Sequence, residues 1–259
     1  MWTRSELKSK AKVAFKANYW KSVLVAILLS ILLGVGMGTA RGQFRSGGQE
    51  AEPVGIEQVG IEETAVPEPE PMSSEDARAL LIVTPLLLLI VLAVVVVAFL
   101  IEAAVANPLE VGARRFFVHN LHQPAQMREV LYAFDHGYRP VLKTMIIRDL
   151  RLIGWALLFV IPGIVKSYEY RMIPYLLAER PDLPTDEAFA ESRRLMMGNK
   201  WNAFVLDLSF LGWGLLSAIT LGLAGVLYAN PYKAQTDAAL YEALRYGDGM
   251  PNLTELPEA

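Results

Sequence analysis

The chain has 259 residues, 53% of them hydrophobic and 20% charged, with a formal net charge of −3 and no cysteine. Counted with the 19 Gly in place of the 10 Tyr, the apolar share is about 56%, against about 45–50% in soluble domains. Absence of cysteine excludes disulfides, thiolate catalysis, iron–sulfur clusters and Cys-ligated zinc.

The first 21 residues carry six basic side chains (Arg4, Lys8, Lys10, Lys12, Lys16, Lys21) and one acidic one, Glu6. Leu7, Ala11, Ala14 and Phe15 recur at helical spacing, which predicts an amphipathic helix with Thr3 and Glu6 as its capping box. Ser22 to Ala40 then runs 19 residues without a charge. About 20 apolar residues cross a ~30 Å hydrocarbon core at about 1.5 Å per helical residue. The basic stretch is long for the n-region of a signal peptide, and Gly38-Thr39-Ala40 is a weak cleavage site, so a retained first span is expected.

Residues 41–78 hold nine acidic and three basic residues, with Pro67, Pro69 and Pro71 alternating with Glu. Such a stretch buries too little apolar area to offset its ordering entropy, so a flexible acidic loop is expected. Ala79 to Ile101 follows as 23 uncharged residues, a second span, with Ser73 and Asp76 as its capping box. Lys and Arg are abundant before the first span and after the second, where residues 107–151 carry seven. That asymmetry places the N-terminus in the cytoplasm and the acidic loop outside.

Two shorter apolar regions remain. Leu152 to Val165 has 14 uncharged residues interrupted by Pro162-Gly163. Leu208 to Tyr232 has 25, with Thr220-Leu221-Gly222 inside it. As single crossings they would put Arg180, Arg193, Arg194 and Lys200 outside; as hairpins turning at those breakers they keep every basic segment inside. A weak threefold repeat favours hairpins. In the second copy Met127, Val130, Leu131 and Phe134 form the apolar face, and in the third Ala188, Ser192, Leu195 and Met196 after a Thr185 cap. The three faces precede Asn18-Tyr19-Trp20, Gly137-Tyr138-Arg139 and Asn199-Lys200-Trp201 respectively.

Charged residues inside apolar segments are the candidate functional residues, because placing each there costs about 2.5–3.5 kcal/mol. They are Arg148, Asp149, Arg151, Lys166, Glu169, Arg171 and Asp207. A fold-back near residue 161 would pair Arg151 with Glu169 and Asp149 with Arg171, while Asp207 would pair with Lys200 or face the bundle interior. Gly34 with Gly38, and Ala218 with Gly222, are small-xxx-small pairs suited to close helix packing. His119 and His122 are three apart without a carboxylate or thiol at matching spacing, so no metal site is expected, and no cofactor motif is present. The basic first helix, and Arg114 and Arg115 beside Phe116 and Phe117, suit contact with an anionic leaflet.

Ile161-Pro162-Gly163-Ile164-Val165-Lys166-Ser167-Tyr168 and Leu206-Asp207-Leu208-Ser209-Phe210-Leu211-Gly212-Trp213 carry a family resemblance, with Ser192 to Trp201, Arg4 to Lys8 and Pro231-Tyr232 in support. The chain resembles the bacterial integral-membrane family catalogued as domain of unknown function 975. That resemblance implies a polytopic protein of the bacterial cytoplasmic membrane and assigns no catalytic residue. The expected fold is all-α: a single membrane domain over 1–259 with six membrane segments as three hairpins, each preceded by an amphipathic helix, or alternatively four transmembrane helices. The 41–78 loop lies outside and the 247–259 tail inside. The expected function is a non-enzymatic scaffold or accessory protein, alone, as a homo-oligomer or with a membrane-protein partner, and without nucleic acid. The alternative is a small-solute transporter or channel using the polar cluster of the middle hairpin.

Overall fold

The computed structural model describes residues 2–32 and 74–247, and every regular element among them is a helix. The chain divides into two compact units, residues 1–43 with 102–259, and residues 44–101. Gly34, Gly38, Ser73, most of the acidic loop and residues 248–259 lie outside the described residues.

Helix α1 (Arg4–Ala17) starts as its sequence predicts, with the Thr3 hydroxyl accepting the Glu6 amide at 3.3 Å. Its buried face is Leu7, Ala11, Ala14 and Phe15. Helix α2 (Tyr19–Leu32) leaves at a bend of 108°. The bend is held by Asn18, whose buried amide donates to Asn120 Oδ1 at 2.9 Å and to the Ala125 carbonyl at 3.0 Å. Asn120 in turn donates to the Ala14 carbonyl at 3.2 Å and to Gln235 at 2.9 Å. Each buried polar group here finds a partner, which burial demands.

Helix α3 (Ser74–His119) belongs in part to each unit. In the second unit every side chain from Val83 to Val97 is exposed, so the helix there has no polar face and no core-facing stripe. In the first unit Val111, Phe116 and Phe117 enter the core.

The second predicted amphipathic helix is absent. Its place is taken by a 3₁₀ turn (Met127–Leu131) and the single turn α4 (Tyr132–Asp135), burying Val130, Tyr132 and Ala133 while Met127, Leu131 and Phe134 stay exposed. The cause is backbone contact. A Cβ on Gly112 would lie 2.0 Å from the Val130 carbonyl oxygen, so the segment docks by its main chain and not by an apolar side-chain stripe.

Helices α5 (Tyr138–Leu158) and α6 (Val160–Glu169) form a hairpin that turns at Phe159, where the backbone is extended (φ −157°, ψ 140°). Pro162-Gly163 sits just after the turn instead of making it. Proline fits the first turn of a helix, where no intrahelical N–H bond is lost. Gly163 lets the arms touch: a Cβ there would stand 3.0 Å from the Ala156 Cα.

Helix α7 (Ile173–Glu179) is fully buried but for Glu179. Helix α8 (Thr185–Met196) buries the predicted Ala188, Ser192, Leu195 and Met196, with Phe189 added. Thr185 does not cap it; Pro184 precedes the helix, and the Thr185 hydroxyl lies 2.9 Å from that of Thr144.

Helices α9 (Lys200–Leu208) and α10 (Leu211–Ile219) form the outgoing arm of the last hairpin. The chain turns at Thr220-Leu221-Gly222, as predicted, with Leu221 at φ 52° and Gly222 at φ 90°. It returns through a π turn (Gly225–Ala229) into helix α11 (Asn230–Tyr246). Ala218 and Gly222 do not pack within the chain: Ala218 is exposed and nothing lies within 4 Å of a Cβ on Gly222. Gly222 serves the turn, and Gly225 makes the close approach instead, against Ser217.

The core of the first unit joins α1, α2, the end of α3, α7, α8 and α11. Its apolar side chains contrast with those near the hairpin turns, where Leu157 is 82% and Leu221 94% exposed. Among the described residues, Lys200–Ile219 is long and apolar enough to cross a membrane, and the bent pair α1–α2 passes the same test if taken as one span.

Candidate functional site

The charged residues singled out in the sequence gather at the roots of the two short hairpins. Arg148, Asp149 and Arg151 sit on α5, Lys166 and Glu169 on α6, Arg171 between α6 and α7, and Asp207 on α9. The structure brings them together but with other partners than antiparallel folding suggests.

Arg171 grips Asp207 with both terminal nitrogens, at 2.8 and 3.0 Å, and reaches Asp237 on α11 at 2.7 Å. Lys233 lies 3.0 Å from each of the same two carboxylates. The Tyr168 hydroxyl donates to Asp207 at 2.8 Å. Two cations thus face two carboxylates, the planar fork of arginine suiting such bidentate contact. Burial opposes ionisation of Asp237, but Arg171, Lys233 and Arg114 outweigh it and hold the carboxyl at about 2.

A second group adjoins this one through Tyr175, whose hydroxyl accepts from Arg114 at 3.3 Å. Arg148 bonds Glu110 at 3.0 Å and Asp149 at 2.7 Å, Arg114 bonds Glu110 at 3.3 Å, and Asn107 donates to Asp149 at 3.0 Å. Burial alone would raise Glu110; Arg148 and Arg114 bring its carboxyl below the ordinary value. Again two cations balance two carboxylates.

Glu169 belongs to a third group. It accepts from Lys166 at 2.9 Å and Lys200 at 2.7 Å, while Ser192 donates to its backbone carbonyl at 2.7 Å. Arg151 does not pair with Glu169: its guanidinium lies 4.2 Å over the Phe189 ring. Asp149 likewise does not meet Arg171, and Asp207 pairs with Arg171 and Lys233 in place of Lys200. The reason is tertiary. Helices α3, α8, α9 and α11 supply Glu110, Phe189, Lys200, Asp207, Lys233 and Asp237 as the partners met in the fold.

Sequence position does not single out Glu110 and Arg114, which follow the second span at a distance. Lys233 and Asp237 stand one and five residues past Tyr232, as near their apolar run as Lys166 and Arg171 are to theirs, and that position could have found them. Arg114, which the sequence suggests as a leaflet contact, has a side chain only 14% exposed. The histidines also have carboxylate partners. His119 lies 3.2 Å from Glu129, and His122 lies 3.0 Å from Glu242, which also pairs with Lys10. They edge a small cavity walled by Val118, Ala178, Tyr175 and Tyr241. Among the described residues no group of three or more His, Asp or Glu side chains is arranged to hold a metal.

Among the described residues the geometry is all-helical, with apolar hairpins rooted in a collar of paired charges. The chain belongs to the family described as Protein of unknown function (DUF975), whose model matches residues 80–247. No curated protein and no solved structure matches it significantly.

Proposed function

We propose that the chain is an integral protein of the bacterial cytoplasmic membrane, crossing it with residues 22–40 and 79–101 and dipping both short hairpins into the cytoplasmic leaflet. In this reading it is a non-enzymatic scaffold or accessory protein. The carrying observation is the charged collar with an apolar, exposed hairpin beyond each root. The Asp207–Lys233 contact at 3.0 Å closes the last hairpin at its base. From Leu208 to Ile219 the outgoing arm has 12 residues, about 18 Å of helix. The α5–α6 arms beyond Arg151 and before Lys166 are shorter, roughly 10 Å each. A crossing needs ~30 Å. Although Lys200–Ile219 has the length and composition of a span, Asp207 lies within it and is held in the collar. Six complete crossings are therefore a poorer account than two crossings and two re-entrant hairpins.

Pairing of the charges favours a scaffold over a transporter. A solute path needs polar groups that can exchange partners, whereas Arg171, Asp207, Lys233 and Asp237 already satisfy one another. Single cysteines in the cysteine-free chain test the topology. Glu57→Cys is expected to react with an impermeant maleimide added to intact cells, and Glu187→Cys and Leu221→Cys to stay unlabelled. Outside labelling of Leu221→Cys would show a full crossing. Solute flux above that of empty liposomes would reject the scaffold reading.

A further inference from the structure

We propose that Arg151, Lys166 and Lys200 form a seat for the phosphate of an anionic phospholipid, at the root of the α5–α6 hairpin. The proposal rests on the membrane reading above and adds to it a defined lipid site.

Unlike its neighbours in the collar, this group is not neutral. Glu169 is the one carboxylate that Lys166 and Lys200 share, at 2.9 and 2.7 Å. Arg151 pairs with no carboxylate among the described residues, and its side chain is exposed. Three cations against one anion leave a local excess of two positive charges. The other two groups each balance two cations with two carboxylates, so the excess is a property of this corner.

Aromatic rings link Arg151 to Lys166, and Lys200 joins Lys166 through their shared Glu169. Arg151 stacks on Phe189 at 4.2 Å, Phe189 meets Tyr170 edge-on at 4.9 Å, and Lys166 lies 5.8 Å from Tyr170 and 5.5 Å from Trp155. Ring faces hold the cations in place without neutralising them. Lys166 and Lys200 keep 27% and 35% of their side chains exposed, so a ligand can reach both.

The position selects a lipid. Lys166 directly follows the exposed Ile161, Ile164 and Val165, and Lys200 directly precedes Trp201, which is 70% exposed. Apolar surface for acyl chains thus stops where the positive charge begins. Trp and Tyr mark that boundary, as they do at the headgroup level of bilayers. A phosphodiester with two acyl chains meets both surfaces together; a free phosphate ion meets only the charge.

The test uses the full chain in neutral detergent, titrated with short-chain phosphatidylglycerol, with phosphatidylcholine and with inorganic phosphate, read by thermal unfolding. Phosphatidylglycerol is expected to bind more tightly than phosphatidylcholine. Arg151→Gln with Lys200→Gln removes the excess charge and leaves the Lys166–Glu169 pair intact. This double variant should lose the preference by about 30-fold, the effect of two basic groups at an anionic surface. Glu169→Gln adds to the excess and should strengthen the preference, which keeps the test decisive if the double variant unfolds. Equal binding of the two lipids, an unchanged preference in the double variant, or an inorganic phosphate shift matching that of phosphatidylglycerol would each overturn the site. Carbonate extraction of the protein from membranes is a separate readout; release by carbonate overturns the membrane reading and not the charge selectivity.

Discussion

Asp207 and Lys233 sit on opposite arms of the last hairpin and meet at 3.0 Å, while Arg171 from the root of the other hairpin grips the same Asp207. One carboxylate thus ties both hairpins to α11. Removing a partner from a buried ionic group costs more than the pair itself contributes, because the remaining charges stay desolvated.

Arg171→Leu should therefore destabilise the chain by on the order of 3 kcal/mol, since it strips a cation from both Asp207 and Asp237. Arg171→Lys keeps the charge but loses the fork, and should fall between the two. Thermal unfolding in detergent measures both. Equal stability of Arg171→Leu and the parent chain would remove the collar from any role in holding the hairpins.

The acid limb of stability carries the signature of Asp237. Its carboxyl titrates at about 2 in the fold against an ordinary value of 3.8. Folding favours the ionised form, so its contribution is complete above about pH 4 and is lost as pH falls from there towards 2. Asp237→Asn should flatten that part of the profile and lower stability at neutral pH by about 2 kcal/mol. Unfolding midpoints between pH 2.5 and 6 check the sign.

Two glycines of α3 and α10 should respond in opposite ways to alanine. At Gly112 a Cβ would collide with the Val130 carbonyl at 2.0 Å, so the main chain itself must move. Loss of several kcal/mol is expected, as for other overpacked sites. At Gly212 nothing lies within 4 Å, and alanine should stabilise the helix by ~0.5–1 kcal/mol. Unfolding curves for the two variants give the comparison directly.

Asn120→Ala should cost about 2–3 kcal/mol, because buried Asn18 loses one of its two acceptors and the buried Gln235 side-chain oxygen loses its donor. The same change should loosen the 108° bend between α1 and α2. Faster amide exchange at Tyr19 to Val23 is the expected local sign; unchanged exchange would place the origin of the bend elsewhere.

Much of the local structure was legible in the sequence. The Thr3 cap, the α1 face and the α8 face follow from spacing alone, and Thr220-Leu221-Gly222 turns because Gly222 tolerates a positive φ. Sequence places the α5–α6 turn three residues late, because Pro162 reads as a breaker but also suits a helix start. The 127–134 segment departs from its apolar spacing because a contact through Gly112 leaves no periodic mark in the segment that docks there. The pairs of the collar were illegible for a different reason. Sequence distance orders Arg151 with Glu169, but the partners come from α3, α8, α9 and α11, and only tertiary packing decides what each charge meets.

The sealing of α1 against α11 has a consequence for assembly. Lys10 pairs with Glu242, the Tyr232 hydroxyl donates to the Lys8 carbonyl at 3.3 Å, and Gln235 completes the Asn120 network. Helix α1 thus waits for α11 before its apolar face is covered. Until α11 emerges, Leu7, Ala11 and Phe15 lack that surface to pack on, so the nascent chain carries an open seam from α1 until residue 230 is made. Chains that stop short of residue 230 should for that reason be cleared by proteolysis rather than accumulate as smaller folded forms.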